Sequence, residues 1–414
     1  MPLVTFYFQL HQPFRLHPDR GKFLWDKVNQ DVFLKVAEKC YLPATRMFTE
    51  LIAKNPEFKI TLSMSGTLLE QAELYQPEVI KALQELLDAG QERRQVEYLD
   101  ETYYHSLTSL FMDSQKQEFR DQVSLHRDKM RKLFGIFPTS FRNTELMYNN
   151  NIGDVVADMG YLSILCEKRE DMFTQADRPI SPNAVFRAKD SRLIVIPRNR
   201  ELSDDVAFRF PHQTIAAEQY AAFIAKIDGE AVLLGYDYEH IGEHIWEDKG
   251  IFEFWRGLPE ALARHDNIVI ANPTEVAERF KDADCPTLDI HGLSTSSWAD
   301  AGRDTFGWLG TMTQHELFQD IQKMESEARQ AGGELLTKWR QLTTSDHVYF
   351  IHERIGEDHA VHAYFNPSGG SIAQPSHILT RKFDYLDVAI KRFEVIRKTE
   401  RTAILMITPE TGRL

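Results

Sequence analysis

Short apolar runs alternate with helical periodicity through roughly the first 280 residues of the chain. Residues 4–10, 58–63, 95–99, 139–142, 161–165, 231–236 and 267–271 read as strands. They are short and mostly apolar at consecutive positions, as strands covered on both faces of a parallel sheet must be. Residues 31–51, 76–89, 114–133 and 214–227 instead place their apolar side chains on one helical face. Asn272-Pro273 opens a further helix near Thr274. Strand–helix repetition of this kind builds right-handed βαβ units around a parallel sheet, open or closed. The runs 184–188 and 193–197 flank Lys189-Asp190-Ser191 and predict a β-hairpin inserted into the α/β core.

The pattern changes after about residue 299. Residues 314–330, 334–342 and 374–399 read as helices, and the next strand signal comes only at 403–407. No linker-like tract separates the two parts, because Ser368-Gly369-Gly370-Ser371 is long enough only for a turn.

Charge narrows the partners. The 48 Lys and Arg against 62 Asp and Glu leave a net −14 over 414 residues. This argues against a nucleic-acid surface and against docking to anionic membranes, both of which need a basic face. No apolar run approaches the ~18 residues of a membrane span. The N-terminus lacks the basic and long apolar regions of a leader, so a cytoplasmic location is expected. Cys40, Cys166 and Cys285 are scattered and odd in number, which predicts buried free thiols rather than a disulfide framework.

In parallel α/β folds, functional side chains gather at the carboxyl ends of the strands. The first strand runs into His11-Gln12, and the third contains Glu97 and leads to Glu101, Tyr103, Tyr104 and His105. The fourth leads to Arg142-Asn143-Thr144-Glu145, the fifth to Glu167, and the sixth to Asp237-Tyr238-Glu239-His240. Polar loops explain any one such end. Together they suggest an active site. Two carboxylates on separate strand ends suit glycoside hydrolysis, which needs one as nucleophile or base and another as acid. Glu145 and Asp237 form the best pair. Arg142 is positioned to keep Glu145 ionised, and Tyr236 and Tyr238 around Asp237 predict desolvation and a raised pKa. A structural salt bridge is the competing account of each carboxylate taken alone.

A second chemistry competes. His240-Ile-Gly-Glu-His244 matches the H-x-x-E-H pattern of zinc peptidases, with His240 and His244 on one face if the segment is helical. Gly242 weakens such a helix, and the motif begins too close to a strand. Satisfied or substrate-facing histidines are the favoured account.

These residues carry a resemblance. The segments Phe8-Gln-Leu-His-Gln-Pro-Phe14, Val96-Glu-Tyr-Leu-Asp-Glu-Thr-Tyr-Tyr-His-Ser-Leu107, Phe141-Arg-Asn-Thr-Glu-Leu-Met-Tyr148 and Gly235-Tyr-Asp-Tyr-Glu-His-Ile-Gly-Glu-His244 resemble the ordered motifs of glycoside hydrolase family 57. So does the segment from Ser297 to Gly310, and the stretches Thr344 to Tyr349 and Ala363 to Pro367 are similar to the amylase branch. The resemblance implies an α/β fold, an incomplete (β/α)7 barrel over residues 1–298, with a mainly helical region over 299–414 packed on it. It implies a retaining enzyme acting on α-1,4 bonds of α-glucans or maltooligosaccharides, with Glu145 as nucleophile and Asp237 as acid/base. Their carboxyl groups should then lie ~5–5.5 Å apart. His11, Gln12, Glu97, Tyr104, His105, Arg142, Glu239, Trp298 and Asp304 fall in substrate-binding segments, with Trp298 a possible stacking platform. No cofactor or metal is implied. A 4-α-glucanotransferase on the same site, a non-catalytic glucan-binding protein and a zinc hydrolase remain as alternatives. The pattern departs from the family at Arg94, where a glycine is frequent.

Overall fold

The computed structural model describes residues 1–19, 21–173, 180–181, 183–299, 302–351 and 373–407. Among the described residues ten strands form in chain order: β1 Leu3–Leu10, β2 Ile60–Met64, β3 Val96–Leu99, β4 Ser140–Arg142, β5 Ser163–Cys166, β6 Phe186–Ala188, β7 Ile194–Pro197, β8 Ala231–Asp237, β9 Val269–Ile270 and β10 Thr287–Leu288. One sheet runs β3-β2-β1-β8 and the other β10-β6-β7-β5-β4. Two thin seams join them into a ring: a parallel bridge from Asp100 to Phe141 and another from Arg198 to Leu233. Seven parallel strands thus close an α/β barrel in the order β1, β2, β3, β4, β5, β7, β8, with wall pairing interrupted at both seams.

The pleat explains why so apolar a strand as β1 was legible. Val4, Phe6, Phe8 and Leu10 face the outer helices, packing with Phe48, Tyr236 and Trp255. The alternate Tyr7 faces the barrel interior with Leu99, Leu165, Ile196 and Leu233. Both faces are covered, so the whole strand reads as apolar.

The structure corrects three details of the expected layout. The hairpin forms, with β6 antiparallel to β7. Its second arm is not an insertion, however, because β7 pairs in parallel with β5 along Ser163–Cys166 and is a wall of the barrel. The strand expected at 267–271 shrinks to β9, which touches only the start of β1. The strand expected at 403–407 is instead the end of the helix Ala373–Ile407. Its Ala, Leu and Met residues are strong helix formers and simply continue the preceding helix.

The helix expected at 31–51 also carries a local irregularity. It is Asp26–Val36 and Leu42–Lys54 with a π-helical turn, Ala37–Tyr41, between them. Pro43 has no N–H to give the carbonyl of Lys39, four residues back. That carbonyl instead faces Gly242, where a Cβ would lie 2.1 Å from it. The wide turn carries Cys40 and Tyr41 to the end of β8, as π-turns often do near functional sites. Cys40, Cys166 and Cys285 are all buried free thiols, as expected.

Beyond the barrel lie Phe306–Leu309, Met312–Lys323, Glu325–Ala331, Gly333–Leu342 and Ser345–Tyr349, all helical. They bury Trp308, Trp339 and Leu342 against Phe111, Phe119 and Phe141 of the barrel side. Buried Glu118 on the helix Gln117–Phe134 receives Arg329 at 2.5 Å and Arg340 at 2.7 Å. Among the described residues no helix is long and apolar enough to cross a membrane.

Candidate active site

Glu145 sits just past β4 in a tight turn, Thr144–Leu146, with φ 56° and ψ 28°. Leu146 follows with φ 52°. Two successive non-glycine residues in the left-handed region store on the order of 1–3 kcal/mol each and need outside support. Trp298 N–H and the Ser297 hydroxyl supply it, both donating to the Glu145 carbonyl at 3.0 Å. The strain aims the carboxylate into the cleft. There His105 Nε2 meets Oε1 at 3.0 Å and Trp298 Nε1–H donates to Oε2 at 2.6 Å.

His105 is the electrostatic centre of this cluster. Burial would strip its proton, but Glu101 at 3.8 Å and Glu145 at 3.0 Å outweigh burial and raise its pKa to about 9. It is therefore an imidazolium at neutral pH. Burial opposes charge on Glu101 too, yet His105 and Arg142 hold it below the usual carboxylate range. Arg142, fully buried, reaches Glu101 at 3.7 Å and donates to the Gln9 side-chain carbonyl. Arg142 thus braces the cluster from behind, and the positive charge beside Glu145 is carried by His105. His11 stacks on His105 with centroids 3.9 Å apart.

The end of β8 supplies the facing wall. Register pairs Gln9 with Asp237, so both stand at the same level of the barrel mouth. Asp237 is half-buried. Glu239, two residues on, is deeply buried between the Tyr41 hydroxyl, 2.5 Å away, and the His11 N–H. Burial, reinforced by the charge of Asp237, pushes its pKa up to about 8, so it is a neutral acid at pH 7.

These residues line two adjoining depressions of about 460 and 550 Å³. Arg198, Phe208, His240 and Arg303 line the first, and His11, Gln12, Glu239, His244 and Asp346 the second. Glu145, Asp237 and Trp298 line both, so they stand where the two meet. The Trp298 ring also has the guanidinium groups of Arg142 and Arg198 at 5.3 and 5.7 Å from its centroid, and it engages Glu145 by its edge.

Four expected residues do not line this cleft, one of them Arg142, buried behind the cluster. Glu97 lies near the start of β3, at the opposite end of the barrel. It accepts from the N–H and hydroxyl of Thr274, capping the helix Pro273–Phe280. The strand begins at Val96, so the carboxylate that emerges at the barrel mouth is Glu101. Tyr104 is buried against Tyr103, and its carbonyl accepts from Thr344. Asp304 accepts from the Phe306 N–H two residues on, in the turn that leads into the short helix Phe306–Leu309.

The histidine motif also folds differently from a zinc helix. Tyr238–His240 is a single 3-10 turn followed by a loop, with Gly242 at φ +104°. His240 lines one depression and His244 the other, while Glu243 pairs with Lys35 at 2.7 Å. Among the described residues no group of three or more His, Cys, Asp or Glu is arranged to hold a metal ion.

The residues that sequence reasoning passed over are Gln9, Tyr41, Arg198, Phe208, Arg303 and Asp346. Gln9, Arg303 and Asp346 lie inside segments that carry the resemblance, and Arg198 directly follows an apolar run. That run looked like a hairpin arm rather than a barrel strand. In the structure Arg198 bonds Glu167 at 3.2 Å and Asp204 at 2.8 Å at the β7–β8 seam.

The fold is a seven-stranded α/β barrel with an acid-rich mouth, and sequence comparison gives its family. The sequence model of glycosyl hydrolase family 57 matches residues 5–289. A putative alpha-amylase of Methanocaldococcus jannaschii is 35% identical over 386 residues, covering 88% of this chain and 80% of that protein. The chain belongs to glycosyl hydrolase family 57, a family of glycan-acting enzymes. An alpha-amylase of Pyrococcus horikoshii is 27% identical over 77% of this chain, which spans 48% of that longer protein. The fold is also that of a family 57 branching enzyme from Thermococcus kodakaraensis, solved with glucose, at TM-score 0.69 and 14% identity over 95% of this chain and 91% of that one.

Proposed function

We propose that the chain is a retaining α-glucan-acting enzyme that cleaves α-1,4 bonds, with Glu145 as nucleophile and Asp237 as acid/base. One observation carries the reading. The Glu145 carboxylate is held between an imidazolium and an indole N–H on the wall shared by two depressions, and Asp237 stands on that same wall. A sugar chain lying across both depressions presents its scissile bond there. The putative alpha-amylase and the alpha-amylase reported above support an α-glucan as substrate.

The chemistry runs in two steps. Glu145, kept ionised by His105 and Trp298, attacks the anomeric carbon while Asp237, which must hold a proton in the reacting complex, gives it to the departing glycosidic oxygen. Asp237, now ionised, takes a proton from an incoming water or sugar hydroxyl, which releases the sugar from Glu145 with its configuration retained. Of the residues expected to bind substrate, His11, Gln12, Glu239 and Trp298 face the cleft and fit that role. The same proposal assigns catalysis to residues 1–298 and a covering role to 299–414.

Incubation with maltooligosaccharides, with products resolved by size, tests this. Shorter products alone mean hydrolysis, and longer products as well mean transfer to a second chain. Glu145→Gln should fold normally yet lose on the order of 10³-fold or more in turnover. Undiminished turnover in that variant, or no glucan turnover by the natural chain, overturns the proposal.

A further inference from the structure

A segment beyond the 5–289 family match is built into the active-site cluster. Residues 343–346 lie antiparallel against residues 104–107, with a bridge between Ser106 and Thr344. Leu107 N–H donates to the Thr343 carbonyl and Ser345 N–H to the His105 carbonyl, both at 3.0 Å. The Thr344 hydroxyl donates to the Tyr104 carbonyl at 3.0 Å. His105 itself has φ 50°, a conformation a histidine holds only with such support. The next residue, Asp346, takes the His11 Nε2–H at 3.0 Å, while Ser65 Oγ lies 2.7 Å from His11 Nδ1. A carboxylate only accepts, so His11 carries its proton on Nε2, and Nδ1 accepts from Ser65. The His11 ring, fixed at both nitrogens, lies at 23° to the His105 ring against which it stacks.

We propose that Asp346 is a positioning residue: through His11 it sets the plane and placement of the His105 ring against Glu145. The helical region thereby completes the site it covers. The kinetic part rests on the function proposed above, and the spectroscopic part does not. The titratable groups around the histidine pair are Glu101, Glu145 and Arg142 on the His105 side, and Asp346, Arg15 and His347 on the His11 side, where burial lowers His347 to about 4 and leaves it neutral. Burial and the neighbouring His105 charge keep His11 below its ordinary pKa, so the pair is one neutral ring on one charged ring.

The test is Asp346→Asn, read by kinetics on a maltooligosaccharide and by ¹⁵N NMR of the histidines. The expected result is a roughly tenfold lower kcat with KM held within about twofold, the mark of a misplaced rather than missing contact. The His105 midpoint should fall from about 9 by roughly half to one pH unit as the negative charge is removed. In a His11→Gln background the same substitution should add little, because the intermediary is gone. A raised KM with kcat preserved would make Asp346 a direct sugar ligand and overturn the proposal, as would an unmoved His105 titration. If Asp346→Asn does not fold, the unmodified chain decides: His11 protonated on Nδ1 rather than Nε2 refutes the arrangement. A moved titration in a chain that turns over no glucan would retire the functional reading and leave this inference standing.

Discussion

Glu239→Gln should stabilise the protein, and by an amount that depends on pH. In the folded chain the Glu239 carboxyl titrates at about 8 rather than at its ordinary 4.5, because burial and then the Asp237 charge oppose ionisation. The unfolded chain releases that proton at the ordinary value. Between the two pH values the native state therefore holds a proton the unfolded state has lost, and stability falls as pH rises. Each unit is worth about 1.36 kcal/mol, so the cost is absent below pH 4.5, about 3 kcal/mol at pH 7, and constant above about pH 8. Glutamine is neutral throughout and still accepts from Tyr41, so it carries no such cost. For 414 residues the unfolding entropy is about 0.9 kcal/mol/K, which makes 3 kcal/mol a shift in Tm of about 3 °C. Thermal unfolding of both proteins at pH 4.5, 6, 7 and 8.5 should show curves that coincide at the lowest pH and separate steadily, the variant melting higher. A separation that does not change with pH, or a wild type that melts higher at pH 7, refutes the reasoning. A carboxyl kept at such a cost inside the cleft belongs to function rather than to stability.

Two further expectations follow from the placement of single residues. Glu97→Ala should leave glucan turnover within about twofold of wild type and remove roughly 1 kcal/mol of stability, the worth of a helix cap. A large loss of turnover with Tm unchanged would return Glu97 to the cleft. Gly242→Ala must place a Cβ 2.1 Å from the Lys39 carbonyl at φ +104°. It should cost roughly 3 kcal/mol or more and lower activity as well, since the same loop carries Glu239 and His244. An unchanged Tm would mean that the loop is not pressed against the π-helical turn.

The sequence of this protein determined its strands, its helices and two carboxylates worth testing. Apolar runs and helical faces are local patterns, and strand ends are where a parallel barrel exposes polar groups. That is why Glu145 and Asp237 were legible. Arg94 was visible only as a departure, and its left-handed φ of 52° shows the conformation for which glycine is suited. Tertiary structure decided the rest, because burial and pairing depend on residues far apart in the chain. Glu97 lies in the first half of β3 and so at the far end of the barrel, while Glu101 follows the strand and stands at the mouth. The hairpin at 184–197 could not reveal that its second arm is a barrel wall until β5 lay beside it. The charge on His105 arises from two carboxylates on different loops, and the partner of His11 lies 335 residues away. No periodicity encodes such a contact. It exists only once the barrel has closed and residues 343–346 have paired with residues 104–107.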